Sequence, residues 1–111
     1  MKKLVIIDGQ ERALVCNALL PRKYRNEFGR DLTKDMRAMA RDAKKDPENM
    51  NMELLENLTW LMLREGGEDV GPTAEAWMSS IEDPLAIYMV AGDVIELWTK
   101  GQKGSVIPAK K

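Results

Sequence analysis

Apolar residues recur most densely between Met52 and Leu63, in the segment M-E-L-L-E-N-L-T-W-L-M-L. Leu54, Leu55, Leu58, Leu61 and Met62 fall at i, i+1, i+4, i+7 and i+8, one stripe of a 3.6-residue helix. Met52, Trp60 and Leu63 widen that stripe and leave Glu53, Glu56, Asn57 and Arg64 as a narrow polar strip. A helix apolar around most of its girth is covered by several neighbours. The pattern therefore predicts a central buried helix over 52–64, stopped at Gly66-Gly67.

Upstream the period changes to two. Lys3 to Ile7 and Glu11 to Cys16 flank Asp8-Gly9, a dipeptide suited to the positive φ angles of a type I′ turn. With Asp8-Gly9 as the loop, Leu4, Ile6, Ala13 and Val15 share one face, and Val5, Ile7 and Leu14 the other. A lone two-stranded hairpin is marginal in water, so one face must pack on helices. The second face is either covered as well or offered to another chain by strand addition.

Between hairpin and central helix the spacing predicts two helices. Leu20, Tyr24 and Phe28, four apart, make one face of the first, with Pro21 in its first turn and Gly29 as its stop. Asp31 caps the second, whose stripe of Leu32, Met36, Met39, Ala40 and Ala43 is narrow and small, as for a peripheral helix. Asp46-Pro47 ends it. Beyond the central helix, G-G-E-D-V-G-P reads as a loop. Thr73 caps a short helix carrying Ala74, Trp77, Met78 and Ile81. Asp83-Pro84 opens the last helix, with Ile87, Tyr88, Ala91, Val94, Ile95 and Trp98 on one side and Gly92-Asp93 as a candidate kink or break.

The expected fold is mainly α (α+β): an N-terminal β-hairpin followed by about five helices around the buried helix 52–64. Residues 1–100 form a single domain, and 101–111, without periodicity, a flexible tail.

Composition narrows the function classes. With 17 basic residues against 18 acidic ones in 111, the net charge is −1. Such a balance supplies no bulk field for nucleic acid or an anionic membrane. No apolar run approaches the roughly 20 residues of a bilayer span. The single cysteine, Cys16, excludes an internal disulfide and fits a reducing cytoplasm. Histidine is absent, which removes the commonest general base and metal ligand. Cys16 lies in an apolar pattern, as a buried hydrophobe does. Glu53 and Glu56 share a helix face without a companion ligand set, and no glycine-rich phosphate loop occurs. A non-enzyme without metal or cofactor is expected.

Binding features remain. Arg22, Lys23, Arg25 and Arg30 form the one dense basic cluster, read either as a solvated helix face or as a site for phosphate or an acidic partner. Eight methionines and three tryptophans (Trp60, Trp77, Trp98) suit a shared core, or an adaptable groove for a partner helix.

The order of motifs resembles the tail assembly chaperones of long-tailed bacteriophages and prophages, especially of Gram-positive hosts. The resemblance is carried by I-D-G-Q-E, L-P-R-K-Y-R-N-E-F-G-R-D-L, E-L-L-E-N-L-T-W-L-M-L, A-W-M-S-S-I-E-D-P-L-A-I-Y and V-I-E-L-W, spanning residues 3 to 98. The family's Y-R-x-x-F-G-x-D core falls on Tyr24, Arg25, Phe28, Gly29 and Asp31, positions suited to packing and capping. Relatives often carry proline where this chain has Gly92.

The resemblance implies a protein of the bacterial host cytoplasm, outside the finished virion. It would bind the tape measure protein, keep it soluble and help tail-tube protein assemble around it; self-association is compatible with this role. The candidate partner-binding residues are Arg22, Tyr24, Arg25, Arg30, Met36 and Met39. The alternative is a small DNA-binding regulator using the basic helix 21–30.

Overall fold

The computed structural model describes residues 1–103. Two antiparallel strands, β1 (Lys2–Ile7) and β2 (Gln10–Val15), precede five helices: α1 (Leu20–Phe28), α2 (Leu32–Lys45), α3 (Met52–Glu65), α4 (Ala74–Ser79) and α5 (Ala86–Lys103). The expected hairpin and five helices are present in the expected order.

The hairpin register is the one its turn dictates. Asp8 and Gly9 adopt φ of 53° and 82°, both positive as a type I′ turn requires. Ile7 then pairs with Gln10, Val5 with Arg12 and Lys3 with Leu14. Val5, Ile7 and Leu14 are buried, whereas Leu4 and Ile6, on the opposite face, are exposed. The turn is also tied down at long range: the Asp8 carboxylate accepts the Glu82 and Asp83 N–H groups at 3.1 and 3.3 Å, just before α5.

Helix α3 is the centre. Its buried residues are Leu54, Leu55, Leu58, Thr59, Trp60, Leu61, Met62 and Leu63, nearly every position of its middle. β2, α5, α1 and α4 all pack on it. The Thr59 hydroxyl avoids desolvation without a partner by donating to the Leu55 carbonyl at 2.6 Å. Asn51 caps the start through the Leu54 N–H, and the end closes in a Schellman arrangement. There the Glu68 N–H donates to the Leu63 carbonyl and the Gly67 N–H to that of Arg64.

Gly66 does a different job, because a Cβ at this position would overlap the Ala13 carbonyl oxygen of β2. Glu68 completes the junction, accepting the Ala13 N–H and an Arg12 N–H, each at 3.1 Å.

Several expectations need correction. α5 is one continuous helix through Gly92 and extends to Lys103, so residues 101–103 belong to it. The remainder of the expected tail, 104–111, lies outside the described residues. The helix begins at Ala86 rather than at Pro84, with Asp83 accepting the Leu85 N–H at 2.9 Å. Tyr88 is exposed, and Val90 and Leu97 take the buried positions instead. Trp60 and Trp77 are core residues, while Trp98 is only partly buried at its margin. Among the described residues no helix is long and apolar enough to cross a membrane.

Candidate partner-binding surface

Helix α2 packs on α1 at the edge of the molecule, as its narrow stripe predicts. Asp31 caps it, accepting the Lys34 N–H at 3.1 Å, and this start sets the phase that turns Leu32, Met36 and Met39 inward. Beyond Met36 and Met39, α2 faces the C-terminal part of α5 across an open groove of about 230 Å³. Met36, Met39, Ile95 and Trp98 supply its apolar lining, with Ala40, Thr33, Arg37 and Thr99 completing it.

The two methionines are about 6% exposed, so they offer a floor rather than a projecting surface. Arg37 and Ala40 are exposed beside them. Unbranched thioether side chains can re-pack around different apolar guests, and an indole adds a large rigid wall with a polar N–H. An amphipathic helix could lay an apolar stripe in such a trough with an acidic residue beside Arg37.

The basic cluster is divided by the fold. Arg30 forms a bidentate pair with Asp35, its Nε at 2.7 Å from one carboxylate oxygen and an Nη at 2.9 Å from the other. The Tyr24 hydroxyl donates to the same carboxylate at 3.0 Å. Hydrogen bonds from Arg30, supplemented by that of Tyr24, hold the Asp35 carboxyl below the usual carboxylate range. Burial, reinforced by the bond to Asp35, pushes the Tyr24 hydroxyl well above its ordinary value.

Lys23 is bonded to Glu65 at 2.7 Å. Arg22 and Arg25 are exposed and make no ion pair among the described residues. Of the six candidates, then, Arg22 and Arg25 present free charge. Arg30 retains an exposed guanidinium already neutralised by Asp35. Tyr24 is a core residue, packed at a tilt against Phe28 with ring centroids 5.1 Å apart.

Glu53 and Glu56 do share a face. They line a wide trough of about 520 Å³ together with Glu27, Glu75, Phe28 and Met78. Burial, and secondarily the charge of Glu53, raise the Glu56 carboxyl above its ordinary value. Among the described residues, no group of three histidine, cysteine, aspartate or glutamate side chains is placed to hold a metal ion. Cys16 is buried, and desolvation raises its thiol.

Sequence spacing singled out Met36, Met39, Ile95 and Trp98 on their separate helices but not their meeting. Thr33 and Thr99 carried no signal at all. The stripes of α2 and α5 both run on past the residues needed to close the core, and that excess is the mark by which a shared groove is legible.

No family model, curated protein or solved structure matches this chain.

Proposed function

We propose that this protein is a tail assembly chaperone of the long-tailed phage type, a non-catalytic binding protein whose partner is the tape measure protein. The observation that carries the reading is the α2–α5 groove, an open trough with Met36, Met39, Ile95 and Trp98 along it. The resemblance of motif order over residues 3–98 supplies the identity of the partner; the groove supplies a place for one of its helices. In this mechanism the chaperone shields successive apolar stripes of the long helical tape measure chain, weakly and reversibly, in the host cytoplasm until tail-tube protein replaces it. Arg22 and Arg25 provide exposed charge for early contacts with acidic positions on that chain.

The division of the basic cluster does not favour the DNA-binding alternative. Arg30 and Lys23 are engaged with Asp35 and Glu65, leaving two free cations on a nine-residue helix. Sequence-independent duplex binding at physiological salt draws on several phosphate contacts at once.

The test is co-expression with the tape measure protein encoded in the same phage or prophage. The expected result is that the tape measure protein moves into the soluble fraction and co-purifies. If it stays insoluble and no complex forms, the proposal fails.

A further inference from the structure

Among the described residues, three of the eight exposed large apolar side chains lie together. Leu4 and Ile6 lie on β1, and Met89 lies in the first turn of α5. Leu4, Ile6 and Met89 line a common groove of about 350 Å³. Contiguous apolar exposure of this kind marks an interaction surface.

The backbone at this place is equally unfinished. Cys16 donates its N–H to the Met1 carbonyl, which sets the phase of the ladder: alternate residues of β1 pair with β2, and Lys2, Leu4 and Ile6 point theirs outward. The N–H and C=O groups of Leu4 and Ile6 have no protein partner among the described residues. The opposite edge of the hairpin is treated differently. There Glu68 takes the Ala13 N–H, and the close approach of Gly66 covers its carbonyl. One edge is sealed and the other is bare, and a bare apolar edge is a template for another strand.

We propose that the outer edge of β1 is a self-association surface that takes a second copy of this chain. The two β1 strands pair antiparallel about a two-fold axis, with Leu4 opposite the partner's Leu4 and Lys2 opposite the partner's Ile6. A four-stranded sheet of order β2-β1-β1-β2 results.

Charge selects this occupant. Lys2 stands at one end of the exposed face, and Glu11 stands beside Ile6 at the other. Both are exposed and outside any ion pair among the described residues. The antiparallel two-fold brings each Lys2 to the partner's Glu11, across the partner's Ile6, twice per dimer. A parallel arrangement would set Lys2 beside Lys2. The surface is thus complementary to itself, as an isologous interface must be. The inference is independent of the tape measure reading and stands or falls separately.

The test is sedimentation equilibrium of the full chain over a wide concentration range, where a monomer–dimer equilibrium is expected. Ile6→Lys should weaken it by at least about tenfold, the size of effect a central interface residue carries. Lys2→Glu alone and Glu11→Lys alone should each weaken it, and the double exchange should restore it. A second measurement does not depend on the Ile6 variant folding. Leu4→Cys should oxidise to a covalent dimer, because facing residues of such a pair have Cα atoms about 5.5 Å apart, within disulfide reach. Gln10→Cys at the hairpin tip is the control. A monomer at every concentration overturns the proposal. So does a dimer that is indifferent to Ile6→Lys and whose Leu4→Cys form cross-links no faster than the control.

Discussion

Gly66 and Gly67 are neighbours with unrelated tasks. Gly67 has φ of 83°, the left-handed conformation of a helix C′ residue, with open space where a side chain would go. Gly67→Ala is expected to cost about 1 kcal/mol, the strain of placing a β-carbon in that region. Gly66 has an ordinary φ of −79° but no room, because the Ala13 carbonyl occupies the place of its missing side chain. Gly66→Ala must push β2 off α3, and about 2–4 kcal/mol is expected. Denaturant unfolding of the two variants checks the order; equal losses would refute it. Asp35 is the other residue on which much depends. Its folded carboxyl titrates below the unfolded one, so its contribution is complete above about pH 4 and is lost as pH falls through the folded value. Asp35→Asn should cost ~1–2 kcal/mol near neutrality. Its stability curve should converge on that of the unsubstituted protein in acid, and parallel curves down to pH 2 would show the pair contributes nothing.

At the scale of elements, α5 shows what a glycine in a helix means when nothing leans on it. Gly92 stands within a continuous helix, and a Cβ there meets no atom within 4 Å. Gly92→Ala is expected to stabilise the protein by ~0.5–1 kcal/mol through helix propensity and the entropy of the unfolded chain. A loss of stability in thermal unfolding would mean that the helix bends at this point in solution. Glycine weakens a helix without ending it, and the packing of Val90, Ala91 and Val94 against α3 carries α5 across the weak point. That packing is non-local, which is why Gly92-Asp93 read as a break. The caps were legible for the opposite reason. Asp31 and Thr73 act on N–H groups three residues away, so their signals lie wholly within a short segment.

For the whole molecule, the arrangement of covered and uncovered faces keeps the two proposed binding surfaces apart. The α2–α5 groove lies among Met36, Met39, Ile95 and Trp98, while the bare edge of β1 borders Met89. Ala40→Glu puts a carboxylate at an exposed position in the groove, so it should reduce capture of the tape measure protein at least several-fold and leave thermal unfolding unchanged. Undiminished capture by a folded Ala40→Glu variant would move the binding surface elsewhere. Both surfaces were only partly legible in the chain. Leu4 and Ile6 stood out as a second apolar face, but which hairpin edge stays open depends on where Gly66 and Glu68 arrive, more than fifty residues later. The basic cluster was visible as four cations, yet its division depends on Asp35 and Glu65 meeting Arg30 and Lys23.

The sequence by itself determined the elements, their order and the residues that start and stop most of them. Those properties follow from side-chain period, turn conformation and capping, all of which act over a few residues. It also determined that α3 is central, since no arrangement of neighbours could leave so wide an apolar girth in water. Tertiary structure alone decided which of two candidate faces was covered, which cations were neutralised, and why Gly66 was needed beside Gly67. Those outcomes depend on contacts between segments distant in the chain, where the approach of one backbone or carboxylate reassigns the role of a residue whose local pattern is unchanged.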